Sequence, residues 1–214
     1  MKYLLIYYTG TYNTRYLTSL LENKLLEVSN IVDTYEIDPL KIVKLDLSGY
    51  DYIGLGYPIY GFNTPKPFIK FLKKQVFNIN QKIFIYKNSG ETYHANDASS
   101  NSILRIIKKY KVQVTNEYHF MFPYNIHFRF QDSLVKEMLE MDDKLLSILV
   151  KELTDGIKNI KRYKLIHKLI SFFVKLQYIG GPINSFFYKV DKDKCVRCNK
   201  CISSCPTKNI YNFF

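Results

Sequence analysis

The chain has 214 residues, 47% of them hydrophobic and 16% aromatic, with four cysteines and no tryptophan. That is enough for one well-buried domain of about 150 residues plus a small appendage, and no apolar stretch reaches the ~18 residues of a membrane span. The net charge of +12 is concentrated: residues 1–155 hold 19 basic against 17 acidic side chains, residues 156–190 hold seven basic and no acidic one, and residues 191–214 hold five against two. A nucleic-acid-binding domain spreads such charge over its folded face, so no nucleic-acid partner is expected.

The N-terminal residues Met1 to Thr9 carry one lysine and a short apolar run ending at Gly10. They lack the length and cleavage site of a signal peptide. Clustered rather than scattered cysteines suit a reducing compartment, so a cytoplasmic protein is expected.

Lys2 to Tyr8 (KYLLIYY) is a continuous apolar run, the pattern of a strand buried on both faces. Leu17, Leu20, Leu21, Leu25 and Val28 then follow helical spacing. Tyr35 to Ile37 is a weaker strand and Tyr52 to Tyr57 another buried one. Thr64-Pro65 supplies an N-cap and an N1 proline for a helix carrying Phe68, Phe71 and Leu72. Lys82 to Tyr86 repeats the buried-strand pattern, Ile103, Ile106 and Ile107 mark a helix, and Val112 to Phe122 contains a fifth strand. Asp132 opens a long helix with Leu134, Val135, Met138, Leu145, Leu146, Leu149 and Leu153 on its apolar side.

Five alternations of strand and helix over residues 1–155 predict an α/β domain with a doubly wound parallel sheet. Residues 156–190 read as a basic helical connector: Ile166, Leu169, Ile170, Phe173 and Val174 share a face, Lys164, Lys168 and Lys175 lie elsewhere, and Gly180-Gly181-Pro182 breaks the helix. Such a segment fits a solvated helix packed on the body, a docking site for an acidic redox partner, or a weak membrane-surface contact. Residues 191–214 form a separate cysteine module.

Open α/β sheets bind ligands at the carboxyl ends of their strands, which directs attention to three loops. Thr9, Gly10, Thr11, Tyr12, Asn13 and Thr14 lie between a buried strand and a helix N-terminus, where backbone N–H groups and three threonine hydroxyls suit a phosphate; the same residues also read as an ordinary capped turn. Pro58, Ile59, Tyr60, Gly61, Phe62 and Asn63 follow the third strand; Tyr60 and Phe62 are candidates to stack on a flat ring, and Gly61 lets backbone approach it. Asn88, Ser89, Gly90 and Glu91 follow the fourth. His94, His119, His127 and His167 share no ligand spacing and read as structural or surface residues.

Cys195, Cys198, Cys201 and Cys205, followed by Pro206, make the run C-x2-C-x2-C-x3-C-P, the bacterial iron–sulfur ligand pattern. Zinc ribbons instead separate two C-x2-C pairs by ~15–20 residues, so the run favours a 4Fe-4S cluster over zinc. In two-cluster ferredoxins the fourth cysteine ligates the other cluster. No second cysteine set occurs, and nine residues follow Cys205, so the expectation is a partial ferredoxin-type module with Cys195, Cys198 and Cys201 on one cluster that it holds poorly.

In order, the three loops and the cysteine run resemble the flavodoxin–ferredoxin fusion proteins of anaerobic bacteria, over nearly the entire chain. The first loop is similar to the flavodoxin phosphate loop, S/T-x-T-G-x-T, except that Tyr12 stands at the glycine. The resemblance implies a flavodoxin-like sheet of order 2-1-3-4-5, FMN as the flavin, and an electron carrier or oxidoreductase relaying electrons between FMN and iron–sulfur centres. It names no substrate. Two other readings stay open: a flavodoxin-like module without a redox task, and a zinc-containing nucleic-acid binder using the basic connector.

Overall fold

Along the first strand Tyr3, Leu5 and Tyr7 enter one hydrophobic cluster while Leu4, Ile6 and Tyr8 enter another. Both sets are buried, as the period of two requires when helices cover both faces of a sheet. In the computed structural model, which describes residues 1–28, 30–91, 93–124, 129–160, 163–174, 187 and 189–211, this strand is β1 (Lys2–Tyr7). It is joined by β2 (Ile31–Glu36), β3 (Tyr52–Pro58), β4 (Lys82–Ser89) and β5 (Gln113–Met121). The sheet order is β2-β1-β3-β4-β5, and every pairing is parallel.

The helices are α1 (Asn13–Glu27), α2 (Lys66–Leu72), α3 (Asn101–Lys108), α4 (Asp132–Asp155) and α5 (Leu165–Val174), with a 3-10 helix at His94–Ser100. Leu17, Leu21 and Leu25 of α1 and Leu146, Leu149 and Leu153 of α4 cover one face of the sheet. Phe68 and Phe71 of α2 and Ile103 and Ile107 of α3 cover the other. The α1 and α4 face is unusually rich in rings: Tyr3 stacks on Tyr52 at 5.0 Å, and Phe84 and Tyr86 sit where Gly54 and Gly56 leave them room. Buried tyrosines keep hydroxyl partners, Tyr86 with Thr18 Oγ1 at 3.0 Å and Tyr52 donating to the Leu153 carbonyl at 3.3 Å.

Three details depart from expectation. β2 begins at Ile31, well before Tyr35, because an edge strand with no fully buried residue has no continuous apolar run to betray it. Thr64 does not cap α2: its hydroxyl donates to the Ser99 carbonyl at 2.7 Å, and the cap position falls to Pro65 without a side-chain bond. The body also extends past residue 155, since Asn159 pairs with Asn116 and exchanges backbone bonds with Thr115 and Glu117 at 2.9 and 2.8 Å, covering the free edge of β5. The expected break at Gly180-Gly181-Pro182, together with Thr92, His127 and Lys175, lies outside the described residues. Among the described residues no helix is long and apolar enough to cross a membrane.

Candidate functional site

The loops after β1, β3 and β4 meet at the carboxyl edge of the sheet around one cavity of about 310 Å³. Thr9, Gly10, Thr11, Asn13 and Thr14 line it from the first loop, Pro58, Ile59, Tyr60 and Gly61 from the second, and Asn88, Ser89 and Gly90 from the third. Tyr12, Phe62, Asn63 and Glu91 lie outside the lining. A larger groove of about 680 Å³ along α4 shares no residue with any of the three loops.

Each loop is shaped by its own chemistry and then tied to the next. Tyr12 takes φ 70° and ψ −10°, the left-handed region that a glycine would occupy freely. Its ring is half exposed and lies under the Arg15 guanidinium at 4.7 Å. Arg15 is in turn held by Glu36, Nε to Oε2 and Nη2 to Oε1, both at 2.7 Å, so its charge is engaged outside the cavity. Replacing Tyr12 with glycine is expected to raise stability by about 0.5–1 kcal/mol, since the relief of left-handed strain exceeds the lost ring contact; a denaturant midpoint that falls would refute this.

In the second loop Tyr60 and Asn63 exchange backbone N–H···O bonds at 3.0 Å across Gly61 and Phe62, which have φ 51° and 58°. That is the geometry of a two-residue turn with both central residues left-handed, and Phe62 is not among the residues lining the cavity. The Tyr60 hydroxyl lies across Gly10, where any Cβ would collide with it. On the far side the Tyr124 ring fills the space a Gly90 Cβ would need, at 2.8 Å or closer.

Asn88 accepts a 2.7 Å bond from Thr14 Oγ1, joining the first and third loops inside the protein. Asn13 Nδ2 donates to the Pro123 carbonyl at 3.0 Å, joining the first loop to the segment after β5. The third loop rests on the 3-10 helix through Asn96 Nδ2 to the Glu91 carbonyl at 2.9 Å, and on β5 through Ser89 Oγ and His119 Nε2 at 2.7 Å.

Phe122, Pro123 and Tyr124 complete the lining. None of the three was expected from sequence to belong to the site. They follow the fifth strand, so the carboxyl-edge rule that selected the other loops could have found them.

Among the described residues the lining has no charged side chain. What it offers an anion is the start of α1, whose first turn has no side-chain cap, and the Thr9 hydroxyl, which is buried without a hydrogen-bond partner. Uncapped N–H groups at the head of a fifteen-residue helix and an orphaned hydroxyl are donors awaiting an acceptor. The residues present therefore fit a phosphate at Thr9–Thr14 with a flat ring among Ile59, Tyr60, Gly90 and Tyr124.

In the cysteine module Arg197 and Asn199 take φ 52° and 57°, curling the chain between the thiols, and a short helix spans Lys200–Ser204. Cys195 and Cys205 are half-buried; Cys198 and Cys201 are exposed. All four are free thiols, but among the described residues no group of three or more His, Cys, Asp or Glu side chains converges as a metal site. The structure thus places the four candidates on one short segment without gathering them. Thr207 Oγ1 at 3.5 Å and the Asn209 N–H at 3.4 Å hold the Cys205 pKa below that of an ordinary thiol, and thiolate is the form that ligates iron. Burial raises the Tyr8 pKa, and the Cys205 charge adds to the rise.

Residues 188–211 match the 4Fe-4S binding domain family. No curated protein matches the chain. Among solved structures, the flavodoxin of Streptococcus pneumonia TIGR4 superposes with TM-score 0.52 at 15% identity, over 73% of this chain and all of the other. Azoreductase AzrA superposes at 0.54 and 7% identity, over 71% of this chain and all of the other. A mutant Fusobacterium nucleatum flavodoxin solved with flavin mononucleotide bound superposes at 0.50 and 12% identity, over 73% and 97%. At such identities the likeness is one of fold. The chain therefore carries a flavodoxin-like fold followed by a segment that matches the 4Fe-4S binding domain family.

Proposed function

We propose that this protein is an electron-transfer flavoprotein, with FMN held in the cavity at the carboxyl edge of the sheet and a 4Fe-4S cluster held by the cysteine run. The observation that carries the reading is the convergence of three separated loops on one cavity, uncharged among the described residues, with an orphaned threonine hydroxyl at its phosphate end. The Fusobacterium nucleatum flavodoxin of the same fold binds flavin mononucleotide, and the match to the 4Fe-4S binding domain spans all four cysteines. When bound, the two groups supply exchange of electrons in pairs and singly.

The protein's own residues would supply position and surroundings. Thr9 Oγ1 and the first N–H groups of α1 would take the phosphate oxygens. Tyr60 would flank the ring at its exposed side and Tyr124 and Gly90 at the other, excluding water from its faces. Cys195, Cys198 and Cys201 would be iron ligands, with Cys205, whose counterpart in two-cluster ferredoxins serves the other cluster, the candidate for the fourth position. Free thiols in such a cluster belong in a reducing cytoplasm.

Thr9 gives a test that separates binding from folding. An unpartnered buried hydroxyl costs stability, so Thr9→Val should stabilise the flavin-free protein by about 1 kcal/mol while weakening FMN binding about tenfold, through loss of one hydrogen bond to a charged group. Flavin fluorescence titration and urea unfolding of the same two proteins measure both. Equal FMN affinity in the two would remove Thr9 from the phosphate site, and no affinity in either would remove the flavin. The visible spectrum and metal content of anaerobically purified protein test the cluster: iron and acid-labile sulfide in equal amounts are expected, and zinc would overturn it.

A further inference from the structure

The helix α5 meets the body along a narrow polar edge. Ser171 Oγ donates to Asn63 Oδ1 at 2.8 Å, Asn63 Nδ2 returns a bond to the Ser171 carbonyl at 2.9 Å, and the His167 ring stacks on His94 of the 3-10 helix at 5.9 Å with 6° between planes. Ser171 is buried. With the inward edge fixed by residues 167 and 171, the remaining positions are forced outward at ~100° per residue.

Those outward positions are apolar. Leu165, Phe172 and Phe173 are 70%, 66% and 62% exposed, and Ile166, Leu169 and Ile170 are also exposed. Together they span an arc of about 160° around the helix axis. Sequence periodicity places four of them, Ile166, Leu169, Ile170 and Phe173, on one face with Val174; the structure turns those four to solvent instead of to the core. Six contiguous exposed apolar side chains on ten residues are far from the scattered apolar exposure of an ordinary surface.

Charge selects among possible occupants. Lys164 and Lys168 lie on the border between the inward edge and the apolar arc, and the surrounding segment, residues 156–190, holds seven basic residues and no acidic one. A second copy docking face to face would bring these like charges together. An acidic protein would satisfy the lysines but has no need of the broad apolar arc. An anionic lipid surface satisfies both, with the rings entering the acyl boundary and the lysines meeting headgroups. The ten described residues of the helix, with Lys168 among them, fit a position in the interface.

We infer that α5 is an amphipathic docking helix that seats this protein on anionic membrane surfaces. Neither the flavin nor the cluster enters this inference. Seated this way, the protein holds the Tyr60–Asn63 loop, which is bonded to the back of α5, next to the membrane.

The test is co-sedimentation of the full chain with phosphatidylcholine vesicles, with and without phosphatidylserine. Binding is expected only with the anionic lipid, weakened at least about tenfold by Phe172→Ser/Phe173→Ser, by Lys164→Glu/Lys168→Glu, or by high salt. Thermal midpoints should be unchanged, because the altered side chains are exposed; a lowered midpoint for the phenylalanine variant would mean these rings pack within the protein and would overturn the inference. So would absence of binding, or binding that the variants leave intact. Light scattering on the same samples gives the alternative: a dimer lost in the phenylalanine variant would assign the face to a second copy.

Discussion

Replacing Lys87 with methionine is expected to cost about 3–5 kcal/mol of folding free energy, the typical penalty for removing one partner of a buried ion pair. Lys87 Nζ lies 2.5 Å from Glu117 Oε1, and both side chains are fully buried. The ammonium also donates to the Asn96 and Asp97 carbonyls at 3.1 Å each, and Ser100 Oγ donates to the same carboxylate at 2.7 Å. The pair therefore pins the 3-10 helix between β4 and β5. Without the lysine, Glu117 would keep one hydroxyl donor at Oε1, while Oε2 is already buried without a partner. The penalty arises from the stranded carboxylate more than from the lost attraction, so Lys87→Met/Glu117→Gln should recover at least half of it. A double-mutant cycle in urea measures the coupling; a single-variant loss under about 1 kcal/mol would show that water reaches the site. Because the 3-10 helix supports Glu91 and Ser89 through Asn96, the lysine variant should also weaken the flavin binding proposed for the cavity.

Asp142 should make the protein more stable in mild acid than at slightly alkaline pH. Its carboxylate sits on α4 against the end of β5, where Oδ1 accepts the Met121 N–H at 3.0 Å and Oδ2 is buried without a partner. Burial pushes its pKa up from 3.8 to about 7, against the opposing effect of that one N–H. Between these two values the folded state binds a proton that the unfolded state has released. Stability contributed by this group therefore falls as pH rises through that window, and the full penalty is present above about pH 7. The ceiling is about 4 kcal/mol, at roughly 1.4 kcal/mol per pH unit. Asp142→Asn keeps an oxygen for the Met121 N–H and removes the charge, so it should stabilise the protein by about 2–4 kcal/mol at pH 8 and by almost nothing below pH 4. Urea midpoints of the two proteins across that range provide the check. A pH-independent difference would mean that the effect is one of packing and that the carboxyl titrates normally.

The strand–helix alternation was legible in the sequence, because buried parallel strands such as Tyr52–Tyr57 must be apolar on both faces; the sheet order came from the resemblance to flavodoxins, and the carboxyl-edge rule picked out the three loops that line one cavity. The cysteine run was legible for a similar reason, since its spacing is itself the chemistry. β2 was half hidden because an edge strand is under no such constraint. Thr64 was misread as a cap because local sequence cannot show that Ser99, thirty-five residues on, presents a carbonyl to it. Tyr12 was marked from sequence as a residue in a glycine's place, and its φ of 70° bears out the conformational demand.

Other features depend on side chains from distant elements and could come only from the tertiary structure. Lys87 and Glu117 each interrupt an apolar strand, and only the β4–β5 pairing shows them to be one neutral unit. Asp142 is one acid among several on α4 until Met121 is placed above it. The apolar stripe of α5 is plain in the sequence, but its direction is not: periodicity defines which residues share a face, and only the contacts of His167 and Ser171 decide that the face looks outward.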